Sequence, residues 1–480
     1  MPGRVSRRQL LSGLTVTAVA FDPIARRWLS RAAAQAPVLE LPPFDGELVL
    51  EPDALAEAAD DFGHTVHHVP WAVLRPGSIE DIQRAVRFAY EHDLVVAMRG
   101  QGHSTYGQAQ AEAGLVIDSR SLDTIDDIQE ESVWVDAGVR WIDLLTATLT
   151  QGLTPPVLTD YLGLSIGGTL SVGGIGGATA RVGFQVDHVH ALTVVTGCGE
   201  LVTCSRHTQR ALFEAVLAGL GQCALIVRAK LALAAAPSGA RVYRLYYDDA
   251  GQFTRDQAQL ASDERFDYLE GQLLPQATGS FQFMIEAAAY YTPPATLDDA
   301  ALLTGLTFDP ARTVIEEVSY FDWSNRLAPT VEALQAAGLW DVPHAFFDVF
   351  VPSENTLQFL NDLLPELTPA ATGGGPLLVY PFARRHARRP LLALPSSELV
   401  FIVSVLRFAP DPSVVAEQIA GNRRWFEAAQ ALGAKRYAIG SIPFDFADWL
   451  DHFGRRFASL ALRKARFDPR GVLTPGQGIF

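Results

Sequence analysis

Cysteine is scarce in this protein, with Cys198, Cys204 and Cys223 the three among 480 residues. None forms a C-x-x-C pair or joins a short Cys/His cluster, so neither a zinc site nor a disulfide framework is expected. They read as buried small hydrophobes; a bridge between Cys198 and Cys204, which flank the strand-like Glu200-Leu201-Val202-Thr203, is the alternative. Beyond the N-terminus no apolar run approaches the roughly 20 residues that span a bilayer, so stable membrane insertion is not expected. No long block of lysine and arginine occurs there either, and the net charge is −16. A phosphate-backbone binder needs the opposite sign, which excludes nucleic acid as a general partner. What is present is core material: 48% hydrophobic and 19% charged residues, in a sequence too long for one simple core. Two domains, or one interrupted by another, follow.

The N-terminus stands apart. Ser6-Arg7-Arg8-Gln9-Leu10-Leu11 is a twin-arginine pattern followed by the apolar stretch Leu10 to Phe21. It reads as a signal for export of a folded protein, to a periplasmic or extracellular location. Small-residue cleavage candidates lie at Ala32-Ala33-Ala34 and Ala34-Gln35-Ala36. The competing reading is a basic N-terminal tail of a cytoplasmic protein.

Downstream, Ser78 is placed to cap a helix through Ala89 that ends near His92, with Asp81 three residues on. Leu94 to Met98 is a continuous apolar strand, buried on both faces, and a Gly- and Gln-rich loop, Arg99 to Gln110, follows it. Further strands are expected at 115–118, 132–135, 189–196, 201–203 and 225–233, with a helix over 141–152 and a glycine-dense segment over 161–178. Ala234 to Gly239 marks a boundary. Strands then alternate with helices to about Ala431, and one amphipathic helix is expected around Trp449 to Arg466. The fold class is α+β.

The chemistry begins at Arg99-Gly100-Gln101-Gly102-His103-Ser104. This is neither a dinucleotide fingerprint nor a P-loop. Its glycines let the backbone approach a ligand and offer N–H groups to a pyrophosphate. A lone histidine is by itself more often structural, and Asp160, after Pro155-Pro156, would by itself be a turn residue.

The run Arg99 to Gln110 resembles the FAD-attachment loop of the vanillyl-alcohol-oxidase-type (PCMH-type) flavoproteins, and within them that of the cytokinin dehydrogenases. Thr159-Asp160-Tyr161-Leu162-Gly163-Leu164-Ser165-Ile166-Gly167-Gly168-Thr169-Leu170-Ser171 is similar to a second segment of that family. Asp267-Tyr268-Leu269-Glu270-Gly271, Gly338 to His344, Phe350-Val351-Pro352, Tyr380-Pro381, His452-Phe453-Gly454 and the terminal Leu473 to Phe480 match in order. The resemblance runs from about residue 45 to the end. It implies a two-domain PCMH-type FAD-binding fold with an inserted α+β substrate domain: an N-terminal segment and linker over 1–44, FAD-binding domain over 45–237, substrate domain over 238–431, and a C-terminal return over 432–480.

Carried over residue by residue, the resemblance implies that His103 bonds covalently to the flavin 8α-methyl. Met98, Gly100, Gln101, Gly102, Ser104, Gln108, Asp160, Ser165, Ser171, Ile175 and Ile226 would contact FAD, and Tyr437, Thr474 and Gln477 would close over the isoalloxazine. Asp160 corresponds to the catalytic base, and Glu270 to a second acid that orients the substrate or relays its proton; an exposed strand-end glutamate is the plain reading of Glu270. The implied reaction is oxidation of a small-molecule substrate, at the C–N bond that carries the isoprenoid tail of an N6-isoprenoid adenine, with electrons passing to a quinone-like acceptor or oxygen.

Two departures stand out. The loop after Tyr380-Pro381, over 382–390, lacks the family's usual tryptophan and is strongly basic, and Ala438 stands where a leucine is usual. They motivate a second reading, a covalent-FAD oxidase of an alcohol, sugar or other metabolite, and for the loop an anionic substrate or partner if it is not simply a solvated face. A third reading, an exported flavoprotein that sequesters a ligand without turnover, sits poorly with His103, Asp160 and Glu270 together.

Overall fold

A computed structural model describes residues 19–22, 27–30, 39–276 and 280–480. The twin-arginine pattern and the cleavage candidates lie outside the described residues; of the apolar stretch only its end is described. The protein divides into two compact units, up to Asp45 and from Gly46 onward. In the first, Val19–Asp22, Arg27–Ser30 and Leu39–Glu40 form a small antiparallel sheet.

The second unit is built on three larger sheets. One carries Glu47–Val49, Ala72–Arg75, Leu115–Asp118 and Val96–Arg99 in that order, the first pair antiparallel and the others parallel. The connection from Ala72–Arg75 to Val96–Arg99 is the helix Ile79–Glu91, started by the Ser78 side chain, which accepts from the Asp81 amide. Ile82, Ala85, Val86 and Ala89 form its buried stripe. The second sheet is antiparallel: Leu201–Ser205, Val189–Thr196, Ala224–Ala232, Ser132–Asp136. All three cysteines are free. At the expected boundary, Ala234–Ala235 pairs with Leu153–Thr154 before the backbone enters the strand Gly239–Tyr247.

The third sheet has eight antiparallel strands, and its two faces explain the rest of the molecule. Their order is Val314–Ser319, Gly239–Tyr247, Phe281–Tyr291, Tyr268–Pro275, Leu377–Ala383, Leu399–Val405, Phe347–Pro352 and Lys435–Arg436. Side chains alternate along each strand. Leu245, Ile285, Leu269, Val379, Val403 and Val349 pack with Phe253, Leu260, Phe359, Leu360 and Trp425, from the helices Ala250–Asp263, Ser353–Leu363 and Val415–Ala431. The intervening Arg244, Glu286, Glu270, Gln272, Leu378, Tyr380, Ile402 and Ser404 turn to the other face and line a cavity.

The C-terminal segment returns to the first sheet: the Val96 amide donates to Val472 O and the Thr474 amide to Val96 O, each at 2.8 Å. One expectation is corrected. The segment around Trp449 to Arg466 is two helices, Phe446–Phe453 and Arg456–Phe467. Gly454 separates them at φ 51°, a positive φ that glycine adopts freely and that turns the backbone out of the helix. Among the described residues no helix is long and apolar enough to cross a membrane.

Trp141 opens the helix Trp141–Leu149, is fully buried, and donates its indole N–H to Thr169 Oγ at 2.9 Å, in the helix Ile166–Val172. Trp141→Ala is expected to destabilise the fold by about 3–5 kcal/mol, seen as a lowered urea midpoint.

Candidate functional site

The site starts where the strand Val96–Arg99 ends. Ligands of parallel sheets gather beyond the carboxyl ends of the strands, where the loops diverge. Here the loop 99–110 is held from behind by Asp61, which accepts from the amides of Gly63 at 3.0 Å and Gly107 at 2.8 Å and from Ser104 Oγ at 3.1 Å. Burial pushes the Asp61 carboxyl up to about 7 against these hydrogen bonds. The carbonyls of Gly102 and Ser104 accept from the amides of Phe62 and Gly63 at 2.8 and 3.2 Å. With these carbonyls turned to the protein, residues 100–105 face the cavity.

Glycine is required twice. A Cβ on Gly100 would lie 2.0 Å from Ser165 Oγ, and one on Gly102, at φ 68°, would lie 2.0 Å from the Arg99 guanidinium.

His103 lies in a stack of rings. Phe62 is parallel to it at 4.0 Å, Tyr161 and Trp340 flank it at 5.2 and 5.8 Å, and His344 covers the other face of Phe62 at 3.9 Å. Burial, and secondarily His344, lowers the His103 imidazole to about 3. It is therefore neutral at ordinary pH and keeps the nitrogen lone pair that a bond to carbon needs.

Every residue singled out from the sequence borders one cavity of about 780 Å³: Met98, Gly100, Gln101, Gly102, His103, Ser104, Gln108, Asp160, Ser165, Ser171, Ile175, Ile226, Glu270, Tyr437, Thr474 and Gln477. Ser171 Oγ donates to Gly167 O at 2.8 Å and Thr474 Oγ to Gly221 O at 2.9 Å, so both hydroxyls also brace the wall. Gln477 Oε1 is buried with no hydrogen-bond partner among the described residues. A glycine cradle, a buried neutral imidazole and an unused buried acceptor fit FAD.

Opposite the cradle is a cluster of charge. Glu270 pairs in register with Glu286, and Glu286 with Arg244, so all three point to the same side of the sheet. Arg244 Nε donates to Glu286 at 2.8 Å. Arg326 enters over the faces of Trp323 and Tyr268, 4.5 and 4.7 Å from their centroids. It reaches Asp160 Oδ1 at 2.9 Å, Glu270 Oε2 at 3.3 Å and Glu286 at 3.4 Å, and donates to the Tyr268 hydroxyl. Burial would lower Arg326, but Tyr268, Asp160, Glu270 and Glu286 outweigh it and hold the guanidinium charged. The Tyr268 hydroxyl touches Asp160 Oδ1 at 2.6 Å and Glu270 Oε2. Burial first, and the Asp160 charge second, raise Glu270 to about 8. Asp160 Oδ2 has no hydrogen-bond partner among the described residues and is left for a ligand.

Sequence reasoning missed Arg326, Tyr268, Glu286 and Phe62 as site residues. Tyr268 carried a signal: it stands two positions before Glu270 on a strand, hence on the same face. Arg326 and Phe62 carried none, because only the fold brings them in. The basic loop is not a cavity wall. Arg385 and His386 pair with Glu264, and Arg389 bonds Val186 O at 2.7 Å and covers Phe213, so the loop straps elements together. Ala438 does line the cavity.

Gly100→Ala forces a methyl group into Ser165 at the cradle. The expected outcome is a folded protein with little or no bound flavin, checked by absorbance and by flavin content after denaturation.

The sequence matches the family model "FAD binding domain" over residues 70–205 and "Cytokinin dehydrogenase 1, FAD and cytokinin binding" over residues 272–480. It is 40% identical to an uncharacterized oxidoreductase, ORF5 in the fasciation locus of Rhodococcoides fascians, over 88% of this protein and 96% of that one. It is 36% identical to cytokinin dehydrogenase 10 of Oryza sativa subsp. japonica, over 89% of this protein and 87% of that one. Its fold is that of 6-hydroxy-D-nicotine oxidase from Arthrobacter nicotinovorans, with a TM-score of 0.70 at 20% identity over 90% of this protein and 96% of that one. The glycine cradle, the carboxylate cluster facing it and these relatives together place the protein in the cytokinin dehydrogenase family of FAD-dependent oxidoreductases, with a PCMH-type fold.

Proposed function

We propose that this protein oxidises secondary amines, and specifically cleaves the C–N bond that carries the isoprenoid tail of N6-isoprenoid adenines, with FAD held covalently on His103. The observation that carries this reading is Asp160, whose Oδ1 is engaged by Tyr268 and Arg326 while Oδ2 is left for a ligand in a cavity that also carries the flavin cradle. A carboxylate so placed can take the proton of a substrate N–H. Leu274, Pro275, Leu327, Leu378 and Leu406 give the same cavity an apolar wall for an isoprenoid tail. Bound FAD would supply the acceptor for the hydride leaving the carbon beside the nitrogen. The imine left behind hydrolyses to adenine and an aldehyde, and the electrons pass on to a quinone-like acceptor or, more slowly, to oxygen.

An alcohol or sugar substrate would use the same Asp160. The small Ala438 in the wall favours that second reading, while the basic loop, which straps other elements, does not support it. The Ser6 to Leu11 pattern supports export of the folded holoenzyme; changing Arg7 and Arg8 to lysine should leave the protein in the cytoplasm, and unchanged export would refute the signal.

Anaerobic addition of isopentenyladenine should bleach the flavin band. Asp160→Asn should slow this by about 100-fold or more, the range of a lost general base. No bleaching, with the flavin still bound, would turn the assignment to alcohols and other amines. Mass spectrometry of the denatured protein should show the added mass of FAD, lost in His103→Ala.

A further inference from the structure

We propose that Tyr268 is a proton-relay residue, the hydroxyl through which a proton taken up by Asp160 reaches Glu270, with Arg326 as the positioning residue that holds the three groups together. This rests on the amine-oxidation reading for the identity of the substrate, and on geometry for the path.

The Tyr268 hydroxyl touches both carboxyls: Asp160 Oδ1 at 2.6 Å on one side, Glu270 Oε2 on the other. A phenol has one proton and two lone pairs. It can donate to only one carboxyl, so the other must carry a proton and donate to it. Arg326 fills the second lone pair. The oxygen is then saturated, and one carboxyl proton is shared along the line Glu270, Tyr268, Asp160.

Which end holds that proton follows from the surroundings. Glu270 retains 3% of its side-chain exposure and Asp160 18%. Arg326 is 2.9 Å from Asp160 but 3.3 Å from Glu270. Glu270 Oε1 accepts from the Gln272 amide at 2.9 Å, which leaves Oε2, the oxygen facing Tyr268, to bear the proton. The charged groups facing the line are Arg326, Arg244, Glu286 and Glu316, with the Tyr380 phenol nearby. Asp160, Glu286 and Glu316 already outnumber the two arginines, so a charge on Glu270 would add to an excess of negative charge, and the raised Glu270 agrees with this.

The step balances. Asp160 takes the substrate N–H proton and passes it to the Tyr268 oxygen. Because Glu270 already carries a proton on the oxygen facing Tyr268, that proton leaves to solvent first, and the Tyr268 hydroxyl then turns its own proton to the oxygen so vacated as it accepts the one from Asp160. Each group regains its starting state, and one proton appears in solvent for each one the substrate loses.

Tyr268→Phe keeps the ring that meets Trp323 edge-on at 5.0 Å and removes only the bridge. In the holoenzyme with full flavin content, anaerobic reduction by isopentenyladenine should slow by about 100-fold at little changed substrate affinity. The solvent deuterium isotope effect of the wild type and its rise in rate as pH passes about 8, where Glu270 loses its proton and is free to accept one, should both disappear. Infrared titration supplies a readout without turnover. A protonated-carboxyl band, identified by its loss in Glu270→Gln, should titrate at a different pH in Tyr268→Phe. Wild-type rate, isotope effect and pH profile in Tyr268→Phe, or an identical Glu270 titration in both proteins, would overturn the proposal. Were isopentenyladenine to leave even the wild-type flavin oxidised, the amine reading would fall, and the infrared arm would still decide the path.

Discussion

A buried arginine among three carboxyl groups is the interaction on which the active end of this molecule depends. Removing charges from water costs several kcal/mol each, and a lone buried guanidinium would be untenable. Arg326 is matched by Asp160, Glu270, Glu286 and the Tyr268 hydroxyl, and its plane is covered by Trp323 and Tyr268. These groups come from separate stretches of the sequence. Asp160 lies in the loop before the helix Ile166–Val172, Tyr268 and Glu270 on one strand, Glu286 on the next, and Arg326 just beyond the helix Tyr320–Ser324. The cluster therefore ties the flavin-side loop to the large sheet through charge, and any shift in that packing leaves a buried charge unmatched.

The opposite wall works on a different principle. Among the described residues no ion pair lies at the heart of the cradle 100–105; its shape comes from turning carbonyls toward Phe62 and Gly63, from Asp61 behind the loop, and from two glycines in contact with Ser165 and Arg99. His103 is held by rings rather than by charges, so its imidazole stays neutral. The cavity between the walls has an uncharged, amide-rich side suited to a cofactor and a charged side suited to moving a proton. The eight-stranded sheet makes the second side by simple alternation: one residue to the helices, the next to the cavity.

Local signals read well where local physics decides. Ser78 caps its helix, and Val96 and Ala97 are buried in the apolar strand that follows it, because capping and burial act over a few residues. Glu270, whose plain reading is an exposed strand-end residue, is among the most buried acids, since the sheet's pairing, not the strand, decides which face is covered. The helix expected over Trp449 to Arg466 is cut at Gly454, where the amphipathic spacing continues but the backbone turns.

The sequence by itself determined the family, the glycine cradle with His103, and the two acids, because these sit in short motifs whose spacing is local. Only the tertiary structure decided that Tyr268 bridges those acids, that Arg326 compensates them, that Phe62 stacks on His103, and that the basic loop is a strap. Each of these is a contact between residues far apart in the sequence, set by sheet register and by the need to match buried charge, and neither leaves a pattern in a linear string of residues.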